Sequence, residues 1–196
     1  MEQVVWYVAY GSNLARHRLQ ADLDRGPDAT PPRANRPVTV GHRLYFAGES
    51  LVWGGGRAYL DHEAGTPAAT LGRAWLLTRA QWDDLHAQES GRDRSVGLDP
   101  ADVAEGEIRS VGPGRYDVVL GYGHHDAVPV VTFTGPEPLD PARCTAPAAD
   151  YLRTIATGLG EAHALSPAAV AAYLLTCPGV TPTWDRATLE ALLDRP

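Results

Sequence analysis

The sequence predicts an α+β fold, built as a small mixed or antiparallel β-sheet or β-barrel flanked by helices. Short runs rich in β-branched and aromatic residues fill the first two-thirds of the chain. From Asp150 onward the spacing of apolar residues is helical. The 20 Gly and 16 Pro among 196 residues predict many turns and short elements rather than a helix bundle. Strands first and helices last are typical of a sheet covered by helices.

Six segments have the composition of strands and are bounded by Gly or Pro. In chain order they are residues 4–10, 38–46, 57–60, 71–77, 115–120 and 128–133. Between the last two lies Gly121-Tyr122-Gly123-His124-His125-Asp126. Two adjacent histidines rarely face one metal ion, so we expect a hydrated hairpin loop there.

Helical spacing appears at residues 14–23 and again at 79–89. The second helix has a clear start signal, because Thr78 and Gln81 have the spacing of a capping box. Trp82 and Leu85 then lie on one face of it. Further helices are expected at residues 151–157, ending at Gly158 and Gly160, at 168–176 after Ser166 and Pro167, and at 184–193.

Length and composition indicate one domain. A chain of 196 residues with 44% hydrophobic residues can bury a full core, so we expect a single domain over residues 1–196. The net charge of −7 argues against nucleic-acid binding, which depends on cations. The apolar runs are too short for a signal peptide or a membrane span, so we expect a cytoplasmic protein without a membrane partner. Composition leaves the oligomeric state open.

The two cysteines, Cys144 and Cys177, are expected to be reduced thiols in structural positions. Neither belongs to a Cys-x-x-Cys pair, so the usual zinc signature is missing from the sequence. The sequence also lacks a Gly-x-Ser-x-Gly elbow and a Gly-Lys-Ser/Thr phosphate loop.

The most informative segment is Tyr10-Gly11-Ser12-Asn13-Leu14, which joins the first strand to the first helix. A strand, a glycine turn and a helix start direct unpaired backbone N–H groups at one point, where an anion can be held. Gly11 lets a ligand approach the backbone because it has no Cβ. Ser12 or Asn13 can cap the helix or bind that ligand. On spacing alone, an ordinary strand-to-helix connection is the simpler interpretation.

Glu89 ends the helix predicted at residues 79–89 and is followed by Ser90 and Gly91. A carboxylate at a helix C-terminus lies at the negative end of the macrodipole, which favours its protonated form. Such a group is either solvated or held in a pocket where it can move protons. For Glu89 taken by itself, the solvated interpretation is the simpler one.

Together, Tyr10-Gly11-Ser12-Asn13-Leu14 and Glu89 give the chain a resemblance to the γ-glutamylcyclotransferase family. The signature of that family is an N-terminal Tyr-Gly-Ser-Asn-Leu and one catalytic Glu after a helix. Other segments are similar to family segments in the same order: Trp53-Gly54-Gly55-Gly56, Gly72-Arg73-Ala74-Trp75, Ala87-Gln88-Glu89-Ser90, the strand that begins near Tyr116, and the helix start at Tyr151. The resemblance runs from residue 4 to about residue 175.

The resemblance implies the family fold and the family reaction, in which an α-amine attacks its own γ-glutamyl amide and releases 5-oxoproline and a free amine or amino acid. It implies that Glu89 is the catalytic acid and base. The implied substrate-binding residues are Tyr10, Gly11, Ser12, Asn13, Leu14, Tyr116 and Tyr151. No metal and no organic cofactor are implied, and the partner is a small γ-glutamyl compound.

Two departures from the family pattern leave alternatives open. Ser90 stands where the family has Gly, and we expect residues 92–113 to form an inserted loop that is a lid, a partner surface or a disordered segment. A second hypothesis is therefore a non-catalytic small-molecule binding module on the same fold. A third is a purely structural or interaction protein, in which the Tyr10–Leu14 segment and Glu89 would lie far apart in space.

Overall fold

The computed structural model describes residues 3–65 and 69–194 and confirms the α+β class. Within these described ranges there are eight strands and five α-helices, and three short 3-10 helices lie in connections. The strands are β1 Val4–Ala9, β2 Ala34–Val40, β3 His42–Ala47, β4 Arg57–Ala64, β5 Thr70–Thr78, β6 Ile108–Ser110, β7 Val118–His125 and β8 Val128–Thr134. The α-helices are α1 Arg16–Leu23, α2 Arg79–Ser90, α3 Ala149–His163, α4 Pro167–Leu174 and α5 Arg186–Leu193.

Six strands form one open, mostly antiparallel sheet in the order β2-β5-β1-β8-β7-β6. β1 pairs antiparallel with β5 and parallel with β8, where Trp6 lies opposite Val130. β7 pairs antiparallel with both β8 and β6. β1 is central in the sheet and is buried from Val5 to Ala9, as expected for a strand with a neighbour on each side. β3 and β4 form a separate two-stranded sheet.

Internal contacts divide the chain into two compact units. Among the described residues, unit 1 comprises 3–9, 19–38 and 73–136, and unit 2 comprises 10–18, 39–65, 69–72 and 137–194. The expectation of a single domain over residues 1–196 stays a prediction. No helix in the described part of the chain has the length and apolar character needed to cross a membrane.

In unit 1, helix α2 begins as the sequence predicts. The Gln81 N–H donates to the Thr78 hydroxyl at 3.1 Å, and the Thr78 N–H donates to the Gln81 side-chain oxygen at 3.0 Å, which completes the capping box. Trp82 and Leu85 are both fully buried, as their shared face predicts. The capping box therefore defines where the helix begins, and the two buried side chains define the face that it turns to the core.

In unit 2, helix α3 is longer than predicted. It runs to His163, so the prediction that Gly158 and Gly160 end it is wrong. A Cβ at Gly158 would lie 2.3 Å from the Leu14 Cβ and 2.4 Å from the Leu14 carbonyl carbon. Gly158 thus allows α3 to pack closely against the 3-10 helix at residues 12–14, and it does not mark a helix end.

Two predicted elements are each divided in the structure. The strand predicted at residues 38–46 is two strands, β2 and β3, which belong to different sheets and are separated at Gly41. The helix predicted at residues 14–23 begins only at Arg16, because Ala15 has an extended backbone with ψ 128°. In both places the local composition favours one continuous element. The strand pairing in the first case and the backbone conformation in the second divide it into two.

The loop predicted at residues 121–126 differs from expectation, whereas the expectation of an inserted loop at residues 92–113 stays a prediction. Residues 92–113 contain a 3-10 helix, Pro100–Asp102, and the short edge strand β6, for which the sequence carries no clear signal. Their connections are hydrogen-bonded, for example from Arg79 to the Leu98 carbonyl at 2.6 Å. The hairpin turn between β7 and β8 lies at Asp126 and Ala127, both with positive φ, because β7 continues through His125.

Candidate active site

The predicted site residues are distributed over both units. Tyr10, Gly11, Ser12, Asn13, Leu14 and Tyr151 belong to unit 2, and Glu89 and Tyr116 belong to unit 1.

The turn after β1 has the predicted order of strand, glycine and helix start. Gly11 is the N-cap of a 3-10 helix, Ser12–Leu14, and the Leu14 N–H donates to the Gly11 carbonyl at 3.1 Å. The Ala15 N–H donates to the Ser12 carbonyl, also at 3.1 Å. The N–H groups of residues 11–13 come before the first intrahelical bond, so the helix itself supplies no acceptor for them. Neither Ser12 nor Asn13 caps this helix, since the N-cap is Gly11 and has no side chain.

Tyr151 lies directly against Gly11. A Cβ placed on Gly11 would lie 3.0 Å from the Tyr151 hydroxyl oxygen and 3.4 Å from the Ala58 Cβ. The same hydroxyl accepts a hydrogen bond from the Ala58 N–H at 3.3 Å. The missing side chain of Gly11 therefore admits a buried tyrosine hydroxyl, and the structure brings these two predicted residues together within unit 2.

Two residues extend this contact. The Trp53 ring stacks on the Tyr151 ring, with centroids 5.4 Å apart and planes 26° apart. The Arg18 guanidinium lies 5.7 Å from the centre of the Trp53 ring, within range of a cation–π interaction. Trp53 carried part of the resemblance, whereas sequence reasoning missed Arg18.

The glycines after Trp53 permit a close backbone approach, as their sequence suggests. A Cβ on Gly55 would lie 2.3 Å from the Ala146 carbonyl oxygen, and one on Gly56 would lie 2.1 Å from the Thr145 carbonyl oxygen. The approaching group is thus the backbone of residues 145–146. These glycines hold the connection before α3, which carries Tyr151, against the start of β4.

In unit 1, Glu89 is the penultimate residue of α2 and is half-buried. The helix ends at Gly91, which has a left-handed backbone with φ 72°. The Arg115 guanidinium donates to the Gln88 carbonyl at 3.3 Å and to the Glu89 carbonyl at 3.2 Å. A cation therefore binds the negative end of the helix beside the Glu89 backbone, the location that the macrodipole favours for a positive charge.

Tyr116 is joined to the same helical turn. Its carbonyl oxygen accepts hydrogen bonds from the Ser90 hydroxyl at 2.7 Å and from the His86 Nε2 at 2.8 Å. Its ring packs edge-on against Phe133 with centroids 5.6 Å apart, and Phe133 stacks on Tyr7 at 4.9 Å. The structure thus brings Tyr116 to the turn that carries Glu89, within the aromatic core of unit 1. His86 is a participant that sequence reasoning missed.

The two cysteines differ in burial, since Cys144 is half-buried and Cys177 is buried. Both are free thiols. Burial raises the pKa of Cys144, and burial raises the pKa of Cys177 to about 12. A thiol with a raised pKa is a poor nucleophile at neutral pH. Within residues 3–65 and 69–194, no group of three or more His, Cys, Asp or Glu side chains is arranged to hold a metal ion.

Comparison with known sequences gives one distant relative. No protein-family model matches the chain. Histone deacetylase 5 of Arabidopsis thaliana is 28% identical over 203 residues, a match that covers 87% of this chain. The chain spans only 30% of the length of that protein.

Comparison with solved structures identifies the fold. A gamma-glutamyl cyclotransferase superposes with a TM-score of 0.53 at 15% sequence identity, covering 96% of this chain and 88% of that chain. An uncharacterized protein from Homo sapiens superposes with a TM-score of 0.51 at 17% identity, covering 97% of this chain and 88% of that chain. The architecture, a mixed α+β chain with an open and mostly antiparallel sheet, is therefore the fold of a γ-glutamyl cyclotransferase.

Proposed function

We propose that this protein is a γ-glutamyl cyclotransferase, which converts a γ-glutamyl amide into 5-oxoproline and a free amine or amino acid. The observation that carries the proposal is the half-buried carboxylate of Glu89 at the end of α2, in a chain that shares its fold with a γ-glutamyl cyclotransferase. Glu89 is the residue to which the family resemblance assigns the proton transfer.

The reaction requires little beyond folding of the substrate and movement of protons. The α-amine of a γ-glutamyl group can reach its own γ-carbonyl and close a five-membered ring, so the nucleophile is already part of the substrate. Holding the two groups in contact can supply on the order of 7–11 kcal/mol of the barrier. The protein must therefore select one conformation of a flexible chain.

Glu89 is proposed to act first as a base and then as an acid. Its carboxylate takes a proton from the α-ammonium group, and the resulting amine attacks the γ-carbonyl to form the new C–N bond. The same carboxyl group then gives a proton to the departing nitrogen as the original amide C–N bond breaks. The lactam nitrogen keeps one proton, and the second surplus proton ends on the freed amine through solvent. The steps balance without water, an oxidant or a reductant.

The turn at Gly11 is proposed to hold a substrate oxygen. The N–H groups of residues 11–13 precede the first bond of the 3-10 helix, and such groups bind carboxylate or carbonyl oxygens. Donors of this kind stabilise the negative charge that develops on the carbonyl oxygen during ring closure. Tyr10, Ser12, Asn13 and Leu14 complete this binding segment in the proposal.

Two tyrosines are each proposed to contact the substrate. Tyr151 is held by the Ala58 N–H and by stacking on Trp53, so its hydroxyl has a fixed position beside Gly11. Tyr116 is fixed through its backbone to the turn that carries Glu89. Rigid support of this kind is what a site for one substrate conformation requires.

Mass spectrometry of released 5-oxoproline tests the proposal. The purified protein is incubated with a panel of γ-glutamyl amino acids, γ-glutamyl peptides and γ-glutamyl amines. The matching α-glutamyl compounds serve as controls, because ring closure at their γ-carbonyl does not cleave the amide and releases no free 5-oxoproline. We expect time-dependent release from at least one γ-glutamyl compound and none from the controls. Thermal shifts on the same panel without any release would contradict the enzyme proposal and identify a non-catalytic binding module.

A further inference from the structure

We propose that His86 and Ser90 are positioning residues, which together hold the Glu89 turn of α2 against the backbone of Tyr116. The inference rests on the proposed function, because it concerns how the proposed proton carrier is kept in place. It concerns residues of this chain that the family resemblance does not assign.

The contact is a single carbonyl oxygen with two side-chain donors. The Tyr116 oxygen lies 2.7 Å from the Ser90 Oγ and 2.8 Å from the His86 Nε2. His86 is 0% exposed, Ser90 is 4% exposed and Tyr116 is 9% exposed, so water does not compete for these bonds. Buried hydrogen bonds of good length are costly to break, because water does not replace the lost partner.

The two donors enclose Glu89. His86 and Ser90 are four residues apart on α2, so they lie on the same face of the helix, one turn from each other. Glu89 is three residues after His86 and directly before Ser90. The backbone at Glu89 therefore lies between two hydrogen-bond donors, His86 and Ser90, and both bonds are accepted by the Tyr116 carbonyl oxygen.

The acceptor defines the protonation state of His86. A carbonyl oxygen accepts only, so Nε2 carries a proton, and burial lowers the pKa of His86, which favours an unprotonated Nδ1 at neutral pH. Nδ1 has no hydrogen-bond partner among the described residues. The ring is sandwiched between Trp82, with centroids 5.3 Å apart, and Phe133, with centroids 5.1 Å apart. The imidazole thus acts as a neutral donor locked in one orientation.

Arg115 makes further hydrogen bonds to the last turn of α2. Its side chain donates to the carbonyls of Gln88 and Glu89, and its N–H donates to the Ser90 carbonyl at 3.3 Å. The dipeptide of residues 115–116 therefore meets the last turn of α2 through five hydrogen bonds, three donated by Arg115 and two accepted by Tyr116. The two accepted bonds are the ones that a Gly at position 90 and an apolar residue at position 86 would remove.

Paired variants separate positioning from folding. Ser90→Ala removes one donor, whereas Ser90→Thr keeps the hydroxyl. His86→Phe removes the other donor but keeps a planar ring between Trp82 and Phe133, whereas His86→Gln keeps an N–H group of similar reach. Ser95→Ala is the matched control, because Ser95 is an exposed residue of unit 1 whose hydroxyl binds Asp83 at 2.9 Å.

Steady-state kinetics on the most active γ-glutamyl compound gives the first readout. We expect kcat to fall about tenfold in Ser90→Ala and in His86→Phe, with KM nearly unchanged, since a displaced proton carrier affects the chemical step more than binding. Ser90→Thr and His86→Gln should recover most of the loss, and Ser95→Ala should show none. An active wild type whose kcat is equal in all these variants would overturn the inference.

Imidazole ¹⁵N–¹H NMR of the wild type gives a second readout that needs no turnover. We expect His86 to be protonated at Nε2 and unprotonated at Nδ1 at neutral pH. A His86 ring protonated at Nδ1 alone would overturn the contact with Tyr116, whatever the activity. Inactivity of the wild type on the whole panel would instead refute the proposed function, so the two failures are distinguishable.

Discussion

The turn that carries Glu89 and the turn that carries Gly11 are fixed by opposite means. The Glu89 turn is held by directional bonds, because Arg115, Ser90 and His86 all make hydrogen bonds between it and residues 115–116. The Gly11 turn depends on close packing instead. Gly11 and Gly158 have no side chain, and neighbouring atoms occupy the space that a Cβ would need.

This difference predicts how substitutions in each turn affect the rate and the stability. Removal of one hydrogen-bond donor near Glu89 leaves the Tyr116 carbonyl with its other donor and keeps the packing. Addition of a methyl group near Gly11 forces atoms apart and strains the surrounding structure. Substitutions in the first region should thus act mainly on rate, and those in the second mainly on stability.

The largest effect on stability is expected for Gly158→Ala. The added methyl group would lie 2.3 Å from the Leu14 Cβ and 2.5 Å from the Ala15 nitrogen, and a backbone cannot retreat as a flexible side chain can. We expect a loss of about 3 kcal/mol in the free energy of unfolding. Urea denaturation at constant temperature measures it.

Gly160→Ala is the matched control for this prediction. It makes the same change two residues further along α3, where the nearest atom to the new Cβ, the Leu165 carbonyl oxygen, is 3.8 Å away. This variant should be neutral or stabilising by up to about 1 kcal/mol, because Ala is a better helix former than Gly. Equal effects from the two substitutions would show that the close approach to Leu14 is not what requires Gly158.

A smaller effect is expected for Gly11→Ala. Its new Cβ would lie 3.0 Å from the Tyr151 hydroxyl oxygen, so that the tyrosine must shift by a few tenths of an ångström. We expect a loss of about 1 kcal/mol, with weaker ligand binding. In a Tyr151→Phe background the hydroxyl is gone, so the same substitution should cost clearly less. A double-mutant cycle measured by thermal unfolding decides this, and strict additivity would contradict the contact.

The smallest effect concerns His86 and pH. Burial lowers the pKa of His86 below its ordinary value of 6.5, and the nearby Arg92 acts in the same direction, whereas the bond to the Tyr116 carbonyl and Asp83 act against it. As pH falls below 6.5, the unfolded chain takes up a proton at this residue before the folded protein does. The free energy of unfolding therefore decreases with falling pH until the folded-state pKa is reached, and His86 has no such effect well above 6.5.

His86→Gln removes this titration while keeping a donor for the Tyr116 carbonyl. We expect the stability of the wild type relative to the variant to decrease between about pH 7.5 and about pH 5. Urea denaturation of both proteins at the two pH values measures the change. A difference that stays constant, or that grows in favour of the wild type at the lower pH, would contradict a buried neutral imidazole.

The same contrast explains which features were predictable from the sequence. The start of α2 was predictable because Thr78 and Gln81 are three residues apart and bind each other. The role of Gly158 was not predictable, because the atoms that exclude a Cβ there belong to Leu14, which is distant in the sequence. The strand β6 has only three residues and is defined by its pairing with β7. Local signals can be read directly, whereas signals that depend on a distant partner cannot.

The candidate site follows the same pattern. Tyr10-Gly11-Ser12-Asn13-Leu14 and Glu89 were singled out because a short motif and a family resemblance indicate them. The residues that support them within each unit, His86 and Arg18, carry no motif and are identified only by the atoms they contact. Motifs therefore indicate the residues proposed to touch substrate, and the structure adds the residues that support them.

Turnover of the Glu89→Gln variant tests the central claim most directly. The amide has nearly the shape of the carboxylate but cannot carry a proton between the two nitrogens. Glu190→Gln, on helix α5, is the matched control. We expect Glu89→Gln to fold normally, to bind the γ-glutamyl substrate and to lose about 10²–10⁴-fold in kcat for 5-oxoproline release, while the control keeps the wild-type rate. An unchanged kcat in folded Glu89→Gln would contradict the claim that Glu89 moves the proton.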